Sequence, residues 1–230
     1  MSKYLIGCLI SATIATTYTF AVGHDSRLFA GIPVMYLVVL GIHLMQIIAF
    51  IPAKIFNTEM FYDLTGSLTY IAAILFCLLT SDNLTTKQTI AAGLVLFWTI
   101  RLGGFLFYRI LRSGIDSRFI KIKQETLRFF MAWFIQGLWV TLTAGPVYSF
   151  LTEKYPTKGD NDLIGILEIV GLILWALGFL IESIADFQKT LFNADKANKD
   201  KFIQSGLWGY SRHPNYCGEI IVWVGVALFT

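Results

Sequence analysis

Charged residues are scarce in this sequence. Of its 230 residues only 14% are charged, against about 25% in a soluble domain, and 56% are hydrophobic. The apolar residues collect in runs of about 20, the length needed to cross a hydrocarbon layer of about 30 Å. Long continuous runs exclude the alternating pattern of a membrane β-barrel, and a helix satisfies its own backbone hydrogen bonds in lipid. The composition therefore predicts an all-α, polytopic transmembrane helical bundle.

Cysteine is also rare. Cys8, Cys77 and Cys217 lie far apart, with no CxxC pair and no neighbouring histidine cluster. This pattern predicts neither a metal site nor a disulfide framework. The net charge of +3 is modest, and no basic run has aromatic residues interleaved, so nucleic acid is not an expected partner. No obligate protein partner is indicated; membrane lipid and a lipophilic small molecule are the expected contacts.

Seven apolar runs predict the spans. They are Tyr4–Val22, Gly31–Pro52, Gly66–Thr80, Thr89–Tyr108, Phe129–Leu151, Leu163–Asp186 and a last run from Pro214. The last run is too short for a full crossing, so we expect the protein to continue after Thr230. The first run alternatively reads as a secretory signal, but a retained span makes the charge pattern coherent. No repeat is apparent, which predicts one membrane domain over 1–230 with a cofactor-binding part at about 163–230.

The basic residues predict the orientation. They concentrate between the fourth and fifth runs and between the sixth and seventh: Arg109, Arg112, Arg118, Lys121, Lys123, Arg128, Lys189, Lys196, Lys199, Lys201 and Arg212. The opposite loops offer only Arg27, Lys87, Lys154 and Lys158. The positive-inside rule then places the N-terminus in the cytoplasm and Lys154 and Lys158 on the other side. The membrane would be the endoplasmic reticulum in a eukaryote and the inner membrane in a bacterium.

Two charges fall inside apolar runs at similar depth, in the cytoplasmic half. Asp63 lies in FYDLTGSLTY and Arg101 in WTIRLGGF. Because such a charge costs about 2.5–3.5 kcal/mol at mid-helix, each needs a partner, water or a function. We predict that both face a substrate cavity as catalytic residues, with Tyr62 or Tyr70 as proton donor. Alternatively, Asp63 only caps a helix and Arg101 extends to the interface.

A polar stripe ends the sixth run, in FLIESIADFQKTLFN. Glu182, Asp186, Lys189 and Asn193 recur at offsets of four, seven and eleven, which share one face of a helix with about 3.6 residues per turn. A helix leaving the membrane could carry such a stripe for solvation alone. Glu182 lies several residues inside the bilayer, however, which favours a binding role for the stripe.

The segment GLWGYSRHPNYCGEIIVWVG predicts a helix that begins at Pro214, where the missing N–H is harmless. The free N–H groups of a helix start, with Arg212 and His213 beside them, suit an anion such as phosphate or carboxylate. Tyr210 and Tyr216 flank this helix start and are predicted, with Arg212 and His213, to contact the bound ligand. The alternative is a membrane-boundary turn in which these tyrosines belong to an aromatic belt.

On the helix so begun, Asn215, Gly218 and Glu219 share a face. We expect Gly218 to admit a ligand close to the backbone and Glu219 to place an acid one turn deeper. A belt does not require an acid below the interface, which favours a binding site over a boundary turn.

These residues resemble the steroid 5α-reductase-like membrane superfamily, in particular its branch with the 3-oxo-5-alpha-steroid 4-dehydrogenase C-terminal-type domain. The resemblance covers nearly the whole chain: FYDLTGSLTY, the RLG at 101–103, Asp116 with Arg118, ADFQK at 185–189 and the RHPNYxGE block. It implies an NADPH-dependent reductase that acts on an activated C=C bond. It also implies that the NADPH pocket is lined by Asp186, Asn215, Gly218 and Glu219.

Two departures from the superfamily's pattern concern substrate and cofactor. Steroid reductases hold the substrate ketone with a glutamate on an early helix, where this chain offers His43 and Gln46. Arginines that follow the aspartate are here Thr190 and Asn193, with Lys189 and Lys196 as possible substitutes for the phosphate contacts. A steroid substrate and a preference for NADPH over NADH therefore do not follow from the resemblance.

Two other functions compete with the reductase. Isoprenylcysteine and phospholipid methyltransferases of membranes share the RHPxYxG turn, which would bind the carboxylate of S-adenosylmethionine. Asp186 and Lys189 favour the reductase. A transporter or lipid-binding scaffold is the third possibility, although transporters often show internal repeats and midplane sites that this sequence lacks.

Overall fold

The computed structural model describes residues 2–154, 163–199 and 201–230. Within this part of the chain, eight α-helices account for nearly all regular structure, so the predicted all-α polytopic architecture is confirmed. Five helices are long and apolar enough to cross a membrane, and a bent pair makes a sixth candidate. The chain divides into two compact units, Met1–Asp162 and Leu163–Thr230.

The first unit contains six helices. They are α1 Lys3–Gly23, α2 Val34–Ile55, α3 Tyr62–Leu79, α4 Thr86–Ser113, α5 Thr126–Thr143 and α6 Gly145–Thr152. The short third run proves to be a full helix, because α3 begins four residues before the predicted Gly66. Thr85 and Gln88 form a reciprocal capping box that starts α4 earlier than predicted.

The fifth predicted span, Phe129–Leu151, consists of two helices rather than one. Helices α5 and α6 meet at an angle of 58° around Ala144. Pro146 lies in the first turn of α6, and a proline there cannot donate the hydrogen bond that would continue α5. The pair is one broken span or a re-entrant segment.

A small hairpin joins α1 to α2. Strands β1 Leu28–Phe29 and β2 Ile32–Pro33 pair antiparallel, and Ala30 and Gly31 turn the chain with positive φ values of 50° and 80°. The second span was predicted to begin at Gly31. It begins at Val34 because the hairpin uses the preceding residues.

Arg27 ties together one end of the first unit. Its guanidinium donates to the backbone carbonyls of Cys77, Thr80 and Leu151, the Thr80 contact being 3.1 Å, and so binds the C-terminal ends of α3 and α6. At the opposite end Lys123 pairs with Glu59.

The second unit is built on two antiparallel helices, α7 Ile166–Ala194 and α8 Pro214–Phe229. Single 3₁₀ turns lie between them at Lys196–Asn198 and Gly206–Gly209. Helix α7 continues eight residues past the predicted end at Asp186, so the whole polar stripe lies on one helix. Helix α8 begins at Pro214 as predicted and has 16 residues.

Candidate functional site

Two acidic side chains are buried on α7. Glu182 is 3% exposed and Asp186 is 8% exposed, although both belong to an apolar helix. Asn215, in the first turn of α8, donates from Nδ2 to Asp186 Oδ1 at 3.4 Å. Gly218 lies against the Glu182 backbone, since a Cβ at Gly218 would be 2.6 Å from the Glu182 nitrogen. The fold thus brings together four residues that the sequence predicted for one site.

The side-chain oxygen of Asn215 is a buried acceptor. No hydrogen-bond partner for Oδ1 exists among the residues that the structure describes. A buried polar atom without a partner costs about 1–3 kcal/mol, so a donor is expected to reach it. The amide is already oriented by Asp186, which leaves Oδ1 for a ligand's N–H or O–H group.

The start of α8 is open. Pro214 occupies the first turn, and His213 at the N-cap makes no side-chain capping bond. The side chains before it lie at the surface: Arg212 and His213 are exposed, and Tyr210 is 94% exposed. The His213 ring stacks on Tyr216 at 5.3 Å between centroids. An uncapped helix start flanked by an arginine is suited to an anion.

A turn that sequence reasoning missed holds this helix start in place. Trp208 donates from Nε1 to the Ala185 carbonyl at 3.0 Å, and Gln188 accepts from the Leu207 N–H at 3.0 Å. Lys189, predicted as a cofactor contact, lies with Nζ 4.7 Å from the centre of the Trp208 ring. The available sequence signal was that ADFQK contains Gln188 and GLWG contains Trp208, two side chains able to bond a neighbouring backbone.

Gly218 has a different role from the one predicted. The space that a side chain would occupy is filled by the α7 backbone at Gly178 and Glu182, so it does not admit a ligand there. The glycine allows α7 and α8 to approach closely. Glu219, the next residue, is half-buried one turn inside α8.

In the first unit, Asp63 belongs to an ion-pair cluster. Its Oδ2 lies 3.3 Å from Arg118 and 3.5 Å from Arg109. Arg118 also donates from Nε to Asp116 Oδ2 at 2.8 Å. Burial raises the pKa of Asp116, but the hydrogen bonds and charge of Arg118 outweigh it and leave that pKa below its usual value. The same hydrogen bonds raise the pKa of Arg118.

The other two predicted catalytic residues lie on α3 and α4. Tyr62 donates its hydroxyl hydrogen to the Ala132 carbonyl at 3.0 Å and packs on Phe119 and Trp133. Arg101 is half-buried on α4. The catalytic assignment of Asp63, Tyr62 and Arg101 stays a prediction.

Glu59 is the member of this cluster that the sequence did not reveal. It is 4% exposed, accepts from Lys123 Nζ at 2.6 Å and accepts from the Asp116 N–H at 3.2 Å. Two acidic residues, Glu59 just before α3 and Asp63 in its first turn, therefore anchor the 114–125 connection between α4 and α5. The sequence signal for Glu59 was its position four residues before Asp63. This spacing places both acids near the start of one helix.

Comparison with known proteins gives a relationship without an assigned activity. An uncharacterized protein of Schizosaccharomyces pombe, C594.04c, is 26% identical in an alignment of 171 residues, and the match covers 62% of this chain and 48% of that protein. The chain thus spans about half the length of this curated relative. No solved structure matches the chain. The model of the family described as "Protein of unknown function (DUF1295)" matches residues 49–230, so the chain belongs to that family, within the steroid 5α-reductase-like superfamily.

Proposed function

We propose that this protein is a membrane-embedded reductase that uses NADPH to reduce an activated C=C bond of a lipophilic substrate. The observation that carries the proposal is the pair formed by the buried Asp186 and the half-buried Asn215, next to the open start of α8. Buried polar groups on an apolar helix are expensive and mark functional sites. Membership of the steroid 5α-reductase-like superfamily supports the same function.

The chemistry of the second unit fits a dinucleotide. Arg212 and the first N–H groups of α8 would hold phosphate. The unfilled Oδ1 of Asn215 would accept from an amide or a ribose hydroxyl, and Asp186, Glu182 and Glu219 offer further acceptors. A ligand rich in hydroxyl and amide donors with a phosphate group meets each of these requirements.

The reaction requires two hydrogens on the substrate. A bound NADPH would supply a hydride for the β-carbon of the activated double bond and become NADP⁺, and a proton would complete the α-carbon. Within the second unit, the bond from Asn215 to Asp186 fixes the amide, and the Trp208 and Gln188 contacts fix the chain that leads into α8. The prediction that Tyr62, Asp63 and Arg101 donate the proton and polarise the substrate carbonyl rests on the first unit alone. Tyr62 would have to release the Ala132 carbonyl to donate.

Methyl transfer from S-adenosylmethionine is the second candidate. The feature that favours it is the same uncapped start of α8 beside Arg212, which would receive a carboxylate as well as a phosphate. Methyl transfer, however, gives the buried Asp186 and the amide bound to it a less specific role. A dinucleotide gives this pair a more specific one. The reductase therefore ranks first.

Ligand binding distinguishes the two candidates. The full-length purified protein in detergent is titrated with NADPH and, separately, with S-adenosylmethionine, and bound ligand is measured at equilibrium. We expect saturable binding of NADPH that weakens in Arg212→Ala. Saturable binding of S-adenosylmethionine without binding of NADPH would overturn the reductase and support methyl transfer.

A further inference from the structure

A cavity of about 300 Å³ lies in the first unit, at the junction of α1, α2 and α5. This volume is at the lower end of small-molecule sites. Its walls are almost entirely apolar and come from all three helices, for example Ala12 and Ala15 of α1, Val39 of α2 and Phe134 of α5. All three helices are membrane-span candidates or part of one.

The cavity reaches the outer surface of the helices. Phe20 is 62% exposed and Leu40 is 56% exposed, and both line the cavity. Phe20 and Tyr36 meet edge to face at 5.4 Å and form one wall. Because these exposed side chains lie on apolar spans, the cavity opens toward the lipid rather than toward water.

One polar side chain in the wall has an unfilled hydrogen-bonding position. His43 Nδ1 lies 2.9 Å from the Val39 carbonyl oxygen. A carbonyl oxygen only accepts, so Nδ1 carries the hydrogen, and in the neutral ring Nε2 is the acceptor. Nε2 is buried and has no partner among residues 2–154, 163–199 and 201–230. The ring is held in place by Phe134, 5.1 Å away between centroids.

We propose that this cavity binds a lipophilic alcohol from the membrane, whose apolar body fills the cavity and whose hydroxyl donates to His43 Nε2. An apolar cavity alone would accept any lipid chain. The unpaired acceptor on the lining residue His43 favours a molecule that brings an O–H group, because a molecule without one leaves Nε2 buried and unpaired. The cavity shares no lining residue with the proposed nucleotide site or with Tyr62, Asp63 and Arg101, so its test is separate from that of the reductase activity.

Photolabelling with a matched pair of probes tests the proposal. One probe is a medium-chain fatty alcohol that carries a diazirine, and the other is its methyl ether, which cannot donate. The full-length protein in detergent is labelled with each, and the labelled peptides are identified by mass spectrometry. We expect saturable labelling of α1, α2 or α5, with the alcohol preferred by about three- to tenfold, the range of one hydrogen bond.

Three variants complete the experiment. His43→Phe should bind both probes equally, because it keeps an aromatic ring and removes the acceptor. Ala12→Leu should weaken both probes by filling the cavity, whereas Thr17→Leu, exposed on the same helix and outside the lining, should change neither. Equal labelling by both probes in the unmodified protein, preference for the ether, or an alcohol preference that survives His43→Phe would overturn the proposal. Since labelling requires no NADPH, its result is separate from that of the nucleotide titration.

Discussion

Gly178 and Gly218 face each other where α7 crosses α8. A Cβ on Gly178 would lie 2.6 Å from the Gly218 carbonyl oxygen, and a Cβ on Gly218 would lie 2.7 Å from the Gly178 carbonyl oxygen. Seven residues along each helix the arrangement recurs, with Gly171 against Gly225. The obstructing atoms are backbone, so a methyl group would require the helices to separate. This close contact places Asn215 near Asp186.

Alanine at these glycines should destabilise the second unit. We expect Gly178→Ala and Gly225→Ala each to cost about 1–3 kcal/mol through overpacking, read as a lower Tm in detergent. Gly93→Ala and Gly104→Ala are the matched controls, because both lie in α4 with nothing within 4 Å of the added atom. These should be neutral or gain up to about 1 kcal/mol. If the α7–α8 variants and the α4 controls had the same Tm change, the α7–α8 contact would not be tight.

Removing the charge of Asp186 should weaken cofactor binding. Asp186→Asn keeps the shape but loses a charged acceptor, and we expect NADPH affinity to fall by about 1–3 kcal/mol, roughly tenfold or more. Glu168→Gln is the control, because it neutralises an acid on the same helix whose capping role a glutamine can retain. Equilibrium titration measures both. Unchanged affinity in Asp186→Asn would remove this residue from the site.

Arg27 should be irreplaceable by lysine. Its forked guanidinium reaches carbonyls at the ends of two helices, Cys77 and Thr80 of the α3 end and Leu151 of α6, which a single ammonium cannot. We expect Arg27→Lys to cost about 1–3 kcal/mol for carbonyls left without a donor, measured by thermal unfolding in detergent. The exposed Arg112 serves as control, since Arg112→Lys should stay within about 0.5 kcal/mol. Equal Tm values for the two variants would contradict the role of Arg27.

The Asp116–Arg118 pair predicts a pH dependence of stability. The folded-state pKa of Asp116 is lowered, because the bonds and charge of Arg118 outweigh burial. Its contribution is therefore complete above the unfolded-state pKa of about 3.9 and is lost as pH falls through the folded-state value. We expect Asp116→Asn to flatten the decline of Tm as the pH falls below about 4. A decline as steep as that of the unmodified protein would assign the acid sensitivity to other carboxyl groups.

The two ends of the first unit should lie on opposite sides of the membrane. Lys121 lies in the loop that Glu59 and Asp63 anchor, and Lys154 lies at the Arg27 end, where its N–H donates to the Asp25 carbonyl. We propose from the positive-inside rule that the Lys121 end is cytoplasmic. In a Cys217→Ser background, an impermeant maleimide added outside should label Lys154→Cys and not Lys121→Cys. The reverse pattern would invert the orientation. Lys158, also predicted for the outer side, lies outside the described residues.

The sequence predicted the helix positions wherever they depend on interactions within one segment of the chain. A run of apolar residues long enough to span lipid is helical whatever surrounds it, so α1 matches its prediction to within one residue at each end. Pro214 marked the start of α8 for the same reason, since a proline fits a first turn and no later one. The bend between α5 and α6 was present in the sequence as Gly145 and Pro146, but the apolar run on both sides concealed it.

The partners of the buried polar groups were decided by tertiary structure alone. The sequence determined that Asp63, Glu182 and Asp186 require compensation, because a charge in an apolar helix is costly wherever it lies. It could not determine that Arg109 and Arg118 pair with Asp63, or that Asn215 donates to Asp186 across 29 positions of the chain. Nor did it show that Gly218 faces a backbone rather than a ligand. Composition and periodicity act within one helix, whereas these contacts depend on the depth and rotation at which two helices pack.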